Sequence, residues 1–168
     1  MGNFFFLRHG QTDFNRDGLW TGSTDVPLNS NGEAEIVFLA ANVGGLNIRN
    51  IFTSPLRRAK KTAEIINRVF NATVIENGNL SERSFGILEG VEKTLNSRSQ
   101  LDSIDSVEKK SVFLARVNFF ISSIELNEHT LIVSHSGVFK ALLELGFRSQ
   151  QSLIRNGELA VMYSSNYP

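Results

Sequence analysis

The sequence predicts an α/β fold, a three-layer sandwich with a mostly parallel central sheet and helices on both of its faces. Three observations predict it. Short β-prone apolar runs alternate with longer runs of helical period, the pattern of successive βα units. No repeat, low-complexity tract or Pro/Gly-rich linker interrupts the alternation. The 168 residues suffice for one well-filled core and are too few for two comfortable ones. The whole stretch 1–168 is therefore read as a single domain.

The elements follow in order. "NFFFL" is a continuous apolar run and reads as a buried strand that ends in Arg8-His9-Gly10. "SNGEAEIVFLAANV" reads as a helix opened by the capping box Ser30-x-x-Glu33. "NIRNIFTS" is a second strand. "SPLRRAKKTAEIINRVF" is a helix with Ser54 as N-cap and Pro55 at the first helical position. Its apolar positions Leu56, Ala59, Ala63, Ile66 and Phe70 step by three and four and mark one face. "ATVI" is a third strand, "SVEKKSVFLARVNFFISSIEL" a long apolar helix and "HTLIVS" a fourth strand. "SGVFKALLELG" is the helix after it, and "ELAVMYS" a last strand. Between Glu92 and Asp105 the polar "EKTLNSRSQLDSID" predicts a loop or a short helix.

Composition narrows the function classes. Seventeen basic and seventeen acidic residues cancel, which argues against a nucleic-acid-coating protein. With no Cys, disulfides, thiolate metal sites and a Cys nucleophile are excluded. No metal-binding H-E-x-x-H, P-loop or dinucleotide G-x-G-x-x-G occurs, so neither metal nor cofactor is expected. The apolar run near the start is too short for a signal peptide or membrane span, so a cytoplasmic protein without a membrane partner is expected.

Three strands end in polar clusters: Arg8-His9-Gly10, "TSPLRR" and "SHSG". In parallel α/β sheets the carboxyl ends of the strands share one edge, where ligands bind. His9, His135 and one of Arg57 and Arg58 are thereby predicted to converge. Arginine forks suit phosphoryl oxygens. Helix starts after Ser54 and His135 would add backbone N–H groups. Gly10 would let the main chain come close to a ligand. A neutral imidazole is a competent nucleophile towards phosphorus, and a leaving alkoxide needs an acid, for which "LSERSFGILEG" offers Glu82 and Glu89. Glu89 beside Gly90, and Asp13 and Asp25, also read as turn or cap residues. His129 is assigned no role, and Arg57, Lys60 and Lys61 read as a solvated helix face.

"LRHGQTDFN", "TGSTDVPLNSNGEAEI", "IFTSPLRRAKKTAEII", "LSERSFGILEG" and "VSHSGVFKALL" occur in this order from Phe4 to about Leu145. Together they resemble the histidine phosphatase superfamily, the phosphoglycerate mutase-like proteins. The resemblance implies that His9 accepts the phosphoryl group, that Glu82 is the acid and then the base, and that His135 stabilises the transferring charge. It implies phosphate contacts from Arg8, Asn15, His135 and, as the Arg before Ala in its motif, Arg58. Thr21 and Gly22 would meet substrate, as would Gly10 and Ser136.

Two departures bear on activity. Ser136 stands where the family has Gly after its second His, with Gly137 following. The segment around 91–106 is short, where mutase members carry a long insertion with a basic cluster that grips a carboxylate; here Lys93 and Arg98 are the basic residues. A short lid suits hydrolysis better than a mutase's exclusion of water. The expectation is a metal-independent phosphatase acting on a small phosphorylated metabolite, with a phosphoprotein as another candidate. The alternatives are a phosphoglycerate mutase, or a phospho-binding scaffold, which would be expected to lack His9 or the acid.

Overall fold

The computed structural model describes residues 2–164; Met1 and residues 165–168 of the predicted domain lie outside the described residues. The strands are β1 (Phe4–Arg8), β2 (Asn50–Thr53), β3 (Thr73–Glu76), β4 (Thr130–Ser134) and β5 (Leu159–Met162). The helices are α1 (Asp13–Arg16), α2 (Ser30–Val43), α3 (Arg57–Phe70), α4 (Leu95–Ser99), α5 (Lys110–Ser122) and α6 (Ser136–Glu144). The sheet order is β3-β2-β4-β1-β5, parallel except for β5, which runs antiparallel to β1.

Alternation along each strand divides the core in two. Phe4, Phe6 and Ile132 face α5 and α6, where they pack with Phe113, Val117, Phe120, Phe139 and Leu142. Leu7, Leu131 and Val133 face α2 and α3, packing with Ile36, Ala40, Ala63 and Ile66. That is the three-layer sandwich the alternation predicts. Among the described residues no helix is long and apolar enough to cross a membrane.

Several boundaries differ from the sequence reading, each for a local reason. The cap of α2 is Asn29, whose side chain accepts from Gly32 N–H at 2.9 Å, so the predicted Ser30 box is displaced by one residue. Helix α3 begins at Arg57, not at Pro55, and its first N–H donates to Asp25 Oδ1 at 2.7 Å. Asp25 thus caps α3 from another loop and takes up its first N–H. Helix α5 begins at Lys110, because the chain ahead of it turns and is held to another loop: Val107 N–H donates to Ile104 O at 3.1 Å and Glu108 N–H to Ser84 O at 2.9 Å. The short α1 was not foreseen; Thr12 and Asn15 close a capping box around it.

The topology sets the site. From β1 the chain crosses through α2 to β2, on one side of β4; from β4 it crosses through α6 to β5, beyond β1. The neighbours β1 and β4 therefore send their connections in opposite directions. A crevice opens at their carboxyl ends.

Candidate active site

The crevice receives His9 from the end of β1 and His135 from the end of β4. His9 N–H donates to Ser134 O at 3.0 Å, continuing the ladder one step past the strand. The two rings are buried, with centroids 5.1 Å apart.

The tautomer of His9 follows from its partner. Nδ1 lies 2.7 Å from the Gly10 carbonyl, which can only accept, so Nδ1 carries the proton. In the neutral ring the lone pair is then on Nε2. Burial first, then the charges of Arg58 and Arg8, hold the His9 imidazole well below its ordinary value of 6.5. For His135, burial, Arg58 and His9 act in the same direction. Its Nε2 is 2.9 Å from Ser54 Oγ, whose hydroxyl is placed to donate to it. With Nε2 accepting, Nδ1–H is the free donor.

These shifts make a stability prediction. A histidine whose folded pKa is depressed takes up its proton in the unfolded chain first. The folded form therefore loses stability as pH falls below 6.5, at a limiting slope of about 1.4 kcal/mol per pH unit for each ring. Urea midpoints between pH 7 and 5.5 should fall with acidification, and His9→Ala should remove about half of that slope. A pH-independent midpoint in the wild type would contradict the buried neutral pair.

Gly10 is also needed for packing. The place a Cβ would occupy lies 2.5 Å from the Gly32 carbonyl, so Gly10 lets the main chain come close to the start of α2. Its N–H donates to Thr62 Oγ1 at 3.1 Å, and that hydroxyl donates to the Arg58 carbonyl at 2.8 Å. Asn156 Nδ2 reaches the carbonyls of His9 and Gly10 and Oδ1 of Asn15, at 3.1, 3.3 and 3.0 Å. Neither Thr62 nor Asn156 was picked out from the sequence, because neither stands in a pattern that announces its contact.

Arg58 is fully buried while Arg57 is exposed. Arg58 donates to the carbonyls of Gly22 and Thr24 at 2.8 and 2.9 Å, and Arg8 to Ile154 O at 2.9 Å. Among the described residues, Arg8 Nε, Arg58 Nε, Thr21 Oγ1 and His135 Nδ1 are buried with no hydrogen-bond partner. All four belong to residues gathered about His9, and all can donate. Unpartnered buried donors are rare and costly. Four such donors on residues beside His9 or sharing its cleft suit an anion.

A cleft of about 980 Å³ opens over them, lined by Arg8, His9, Asn15, Thr21, Gly22 and Arg58. Glu82, Ser136 and Gly137 line it as well. Glu82 Oε2 accepts from Gly137 N–H at 3.0 Å and Oε1 from Arg83 N–H at 2.8 Å. A Cβ at residue 137 would collide with that carboxylate, so Gly137 is what lets Glu82 come this close to α6. Arg116 fixes the segment below: it donates to the carbonyls of Asn79, Ser81 and Glu82 at 2.7–3.0 Å and pairs with Glu108 at 2.8 Å. A cation in the middle of the apolar helix α5 was a legible signal for it.

Glu89 turns away from this chemistry. Its carboxylate accepts from the N–H groups of Ser23, Thr24 and Phe85 at 2.8–2.9 Å, tying the loop that carries Thr21 and Gly22 to the loop after Glu82. Burial alone would raise its pKa, but the donors from Thr24, Ser23 and Phe85 outweigh that and lower it. His129 binds the Asn47 carbonyl through Nδ1 at 2.7 Å. The cleft also has a wall foreseen by no motif, the loop from Gln150 to Glu158.

Fold and site together define an α/β protein that presents paired histidines and arginines at the switch point of a parallel sheet. The family model of the histidine phosphatase superfamily (branch 1) matches residues 4–164, and the chain belongs to that superfamily. It is 33% identical over 141 residues to the uncharacterized phosphatase PhoE of Bacillus subtilis strain 168, covering 82% of this chain and 73% of that one. It spans less than half of other curated relatives, 35% and 46% of two of them. The crystal structure of TTHB049 from Thermus thermophilus superposes with a TM-score of 0.78 at 29% identity, covering 95% of this chain and 92% of that one. A phosphoglycerate mutase from the same organism gives 0.77 at 26% identity, with 95% and 91% covered.

Proposed function

We propose that the chain is a phosphomonoesterase that works through a phosphohistidine on His9 Nε2, without a metal ion or other cofactor. The observation that carries this reading is the Nδ1–H bond to the Gly10 carbonyl, which leaves the lone pair on Nε2 of a buried, neutral ring whose neighbours carry four unpartnered donors. In the first step Nε2 attacks phosphorus, the ester P–O bond breaks, and the leaving oxygen takes a proton from the Glu82 carboxyl. In the second, Glu82 accepts a proton from water, water attacks phosphorus, and the P–N bond breaks to release phosphate. Arg8 and Arg58 neutralise the phosphoryl oxygens, and His135, Asn15 and Thr21 add hydrogen bonds. Ser136 and Gly22 contact the ester at the rim. A small phosphorylated metabolite is the proposed substrate, handled in the cytoplasm; a phosphoprotein would enter the same cleft.

The test is hydrolysis of p-nitrophenyl phosphate in EDTA, with the quenched enzyme assayed for acid-labile, base-stable phosphate. Turnover with trapped label is expected; turnover without label, or inhibition by EDTA, would overturn the mechanism. Glu82→Gln should lower kcat about 100-fold or more on alkyl phosphates and far less on p-nitrophenyl phosphate, whose leaving group needs little protonation. Equal losses on both would take the acid role from Glu82.

A phosphoglycerate mutase is the second reading, favoured by the likeness to the T. thermophilus mutase. It requires the phosphoenzyme to return its phosphoryl group to substrate before water arrives. Isomerisation of phosphoglycerate with a bisphosphoglycerate primer, faster than release of inorganic phosphate, would establish it.

A further inference from the structure

The loop that ends before β5 does more than wall the cleft. Arg8 Nη1 donates to Ile154 O at 2.9 Å and Arg8 N–H to Glu158 O at 3.1 Å. Gly157 N–H donates to the carbonyls of Arg8 and His9, each at 3.1 Å. Gly157 has φ 68°, in the left-handed region that glycine adopts without strain. Asn156 stands inside this clamp. Arg155 and Glu158 line the cleft and Asn156 does not, so whatever Asn156 does for the chemistry passes through another residue.

Fixed partners set which end of each amide faces which way. Thr12 N–H can only donate, so the Asn15 atom it meets at 3.2 Å is Oδ1. The carbonyls of His9 and Gly10 can only accept, so the Asn156 atom that meets them at 3.1 and 3.3 Å is Nδ2. One proton of that NH2 is shared between the two carbonyls, and the other goes to Asn15 Oδ1 at 3.0 Å. Both lone pairs of Asn15 Oδ1 are then filled. Turned over, the Asn15 amide would set its own NH2 against two donors. What it offers to the cleft, which Asn15 lines, is the Nδ2 end.

We infer that Asn156 is a positioning residue for phosphoryl transfer: it holds the Asn15 amide in the orientation that presents an NH2 to the phosphoryl oxygens. The inference rests on the phosphomonoesterase reading and adds a residue to that machinery at one remove from the substrate. An NH2 aimed in advance at oxygens that gain charge needs no reorganisation during the step. The reversed amide would offer its carbonyl oxygen instead, and two acceptors repel. A smaller share passes through the nucleophile, because the Gly10 carbonyl that Asn156 holds also accepts from His9 Nδ1–H.

A double-mutant cycle on p-nitrophenyl phosphate tests it. Asn156→Ala should lower kcat/KM about tenfold in the wild-type background and about threefold or less in Asn15→Ala. Asn156→Leu keeps the bulk without a donor and should be no better than Asn156→Ala. Equal factors in the two backgrounds, or wild-type activity in Asn156→Leu, would overturn the inference, since a merely structural loss is indifferent to Asn15. A measurement on the wild type is independent of how the variants fold: inorganic phosphate should shift the side-chain NH2 resonances of Asn15 in a 15N-correlated spectrum. Unmoved resonances in phosphate-saturated protein would overturn the positioning. If the wild type does not hydrolyse p-nitrophenyl phosphate, the catalytic reading fails separately, and calorimetric titration with phosphate runs the same cycle on Kd. An Asn156→Ala effect that shrinks in Asn15→Ala supports the positioning; an equal effect, or no phosphate binding by the wild type, overturns it.

Discussion

His9→Ala is expected to lower kcat/KM for phosphomonoesters by about 10,000-fold or more, the scale set by removing a nucleophile that acts as a unit with its neighbours. The fold should survive, because the ring packs against a polar pocket and anchors neither apolar core. Its Nδ1–H bond to Gly10 is lost, but Gly10 keeps Thr62 and Asn156 as partners. Arg8, Arg58 and His135 remain, so inorganic phosphate should still raise the melting temperature of the variant. Loss of turnover with retained phosphate stabilisation separates the nucleophile from the binding groups. Residual activity within tenfold of wild type would show that another residue carries the phosphoryl group.

Arg58→Met should cost about 1,000-fold or more in kcat/KM, as expected for a guanidinium that meets developing charge on a phosphoryl group. Its effect on stability should be small by comparison. Burial is the main reason the Arg58 pKa is lowered to about 10 from 12.5, with Glu82 opposing; keeping the charge in the fold therefore costs about 3 kcal/mol. Removing it relieves that cost but leaves the carbonyls of Gly22 and Thr24 unsatisfied, at about 1–3 kcal/mol each. The two effects oppose and are of similar size. The diagnostic is the ligand response: millimolar phosphate should stabilise the wild type and leave Arg58→Met unmoved. A variant that still responds to phosphate would place the anion elsewhere.

What the sequence made legible was local or periodic. Arg8, His9 and His135 stand at the ends of apolar runs, and parallel-sheet topology alone brings such ends together. The choice of Arg58 over Arg57 needed the motif, since helix phase places neither with certainty at a first turn; the structure puts Arg57 in solvent and Arg58 in the crevice. The misplaced start of α3 has a nonlocal cause. Ser54 looked like an N-cap, but its hydroxyl is placed against His135, and Asp25 supplies the cap from another loop. Asn156, Thr62 and the loop from Gln150 to Glu158 act across long separations with no repeat or spacing to betray them. Arg116 was visible as an anomaly, a charge in an apolar helix, yet its partners Asn79, Ser81 and Glu82 could not be read from α5 itself.

The position of β1 in the sheet governs when the site can exist at all. Both of its neighbours, β4 and β5, come late in the chain, and the Asn156 side chain that holds the His9 carbonyl is 147 residues away. During synthesis, "NFFFL" must wait for partners that emerge much later, with its aromatic run exposed meanwhile. Such nonlocal pairing slows folding and invites association of unfinished chains. Nascent chains halted before β4 should therefore need chaperone protection and bind no phosphate. Competence would arrive abruptly, as β5 docks and the loop before it closes on the His9 carbonyl.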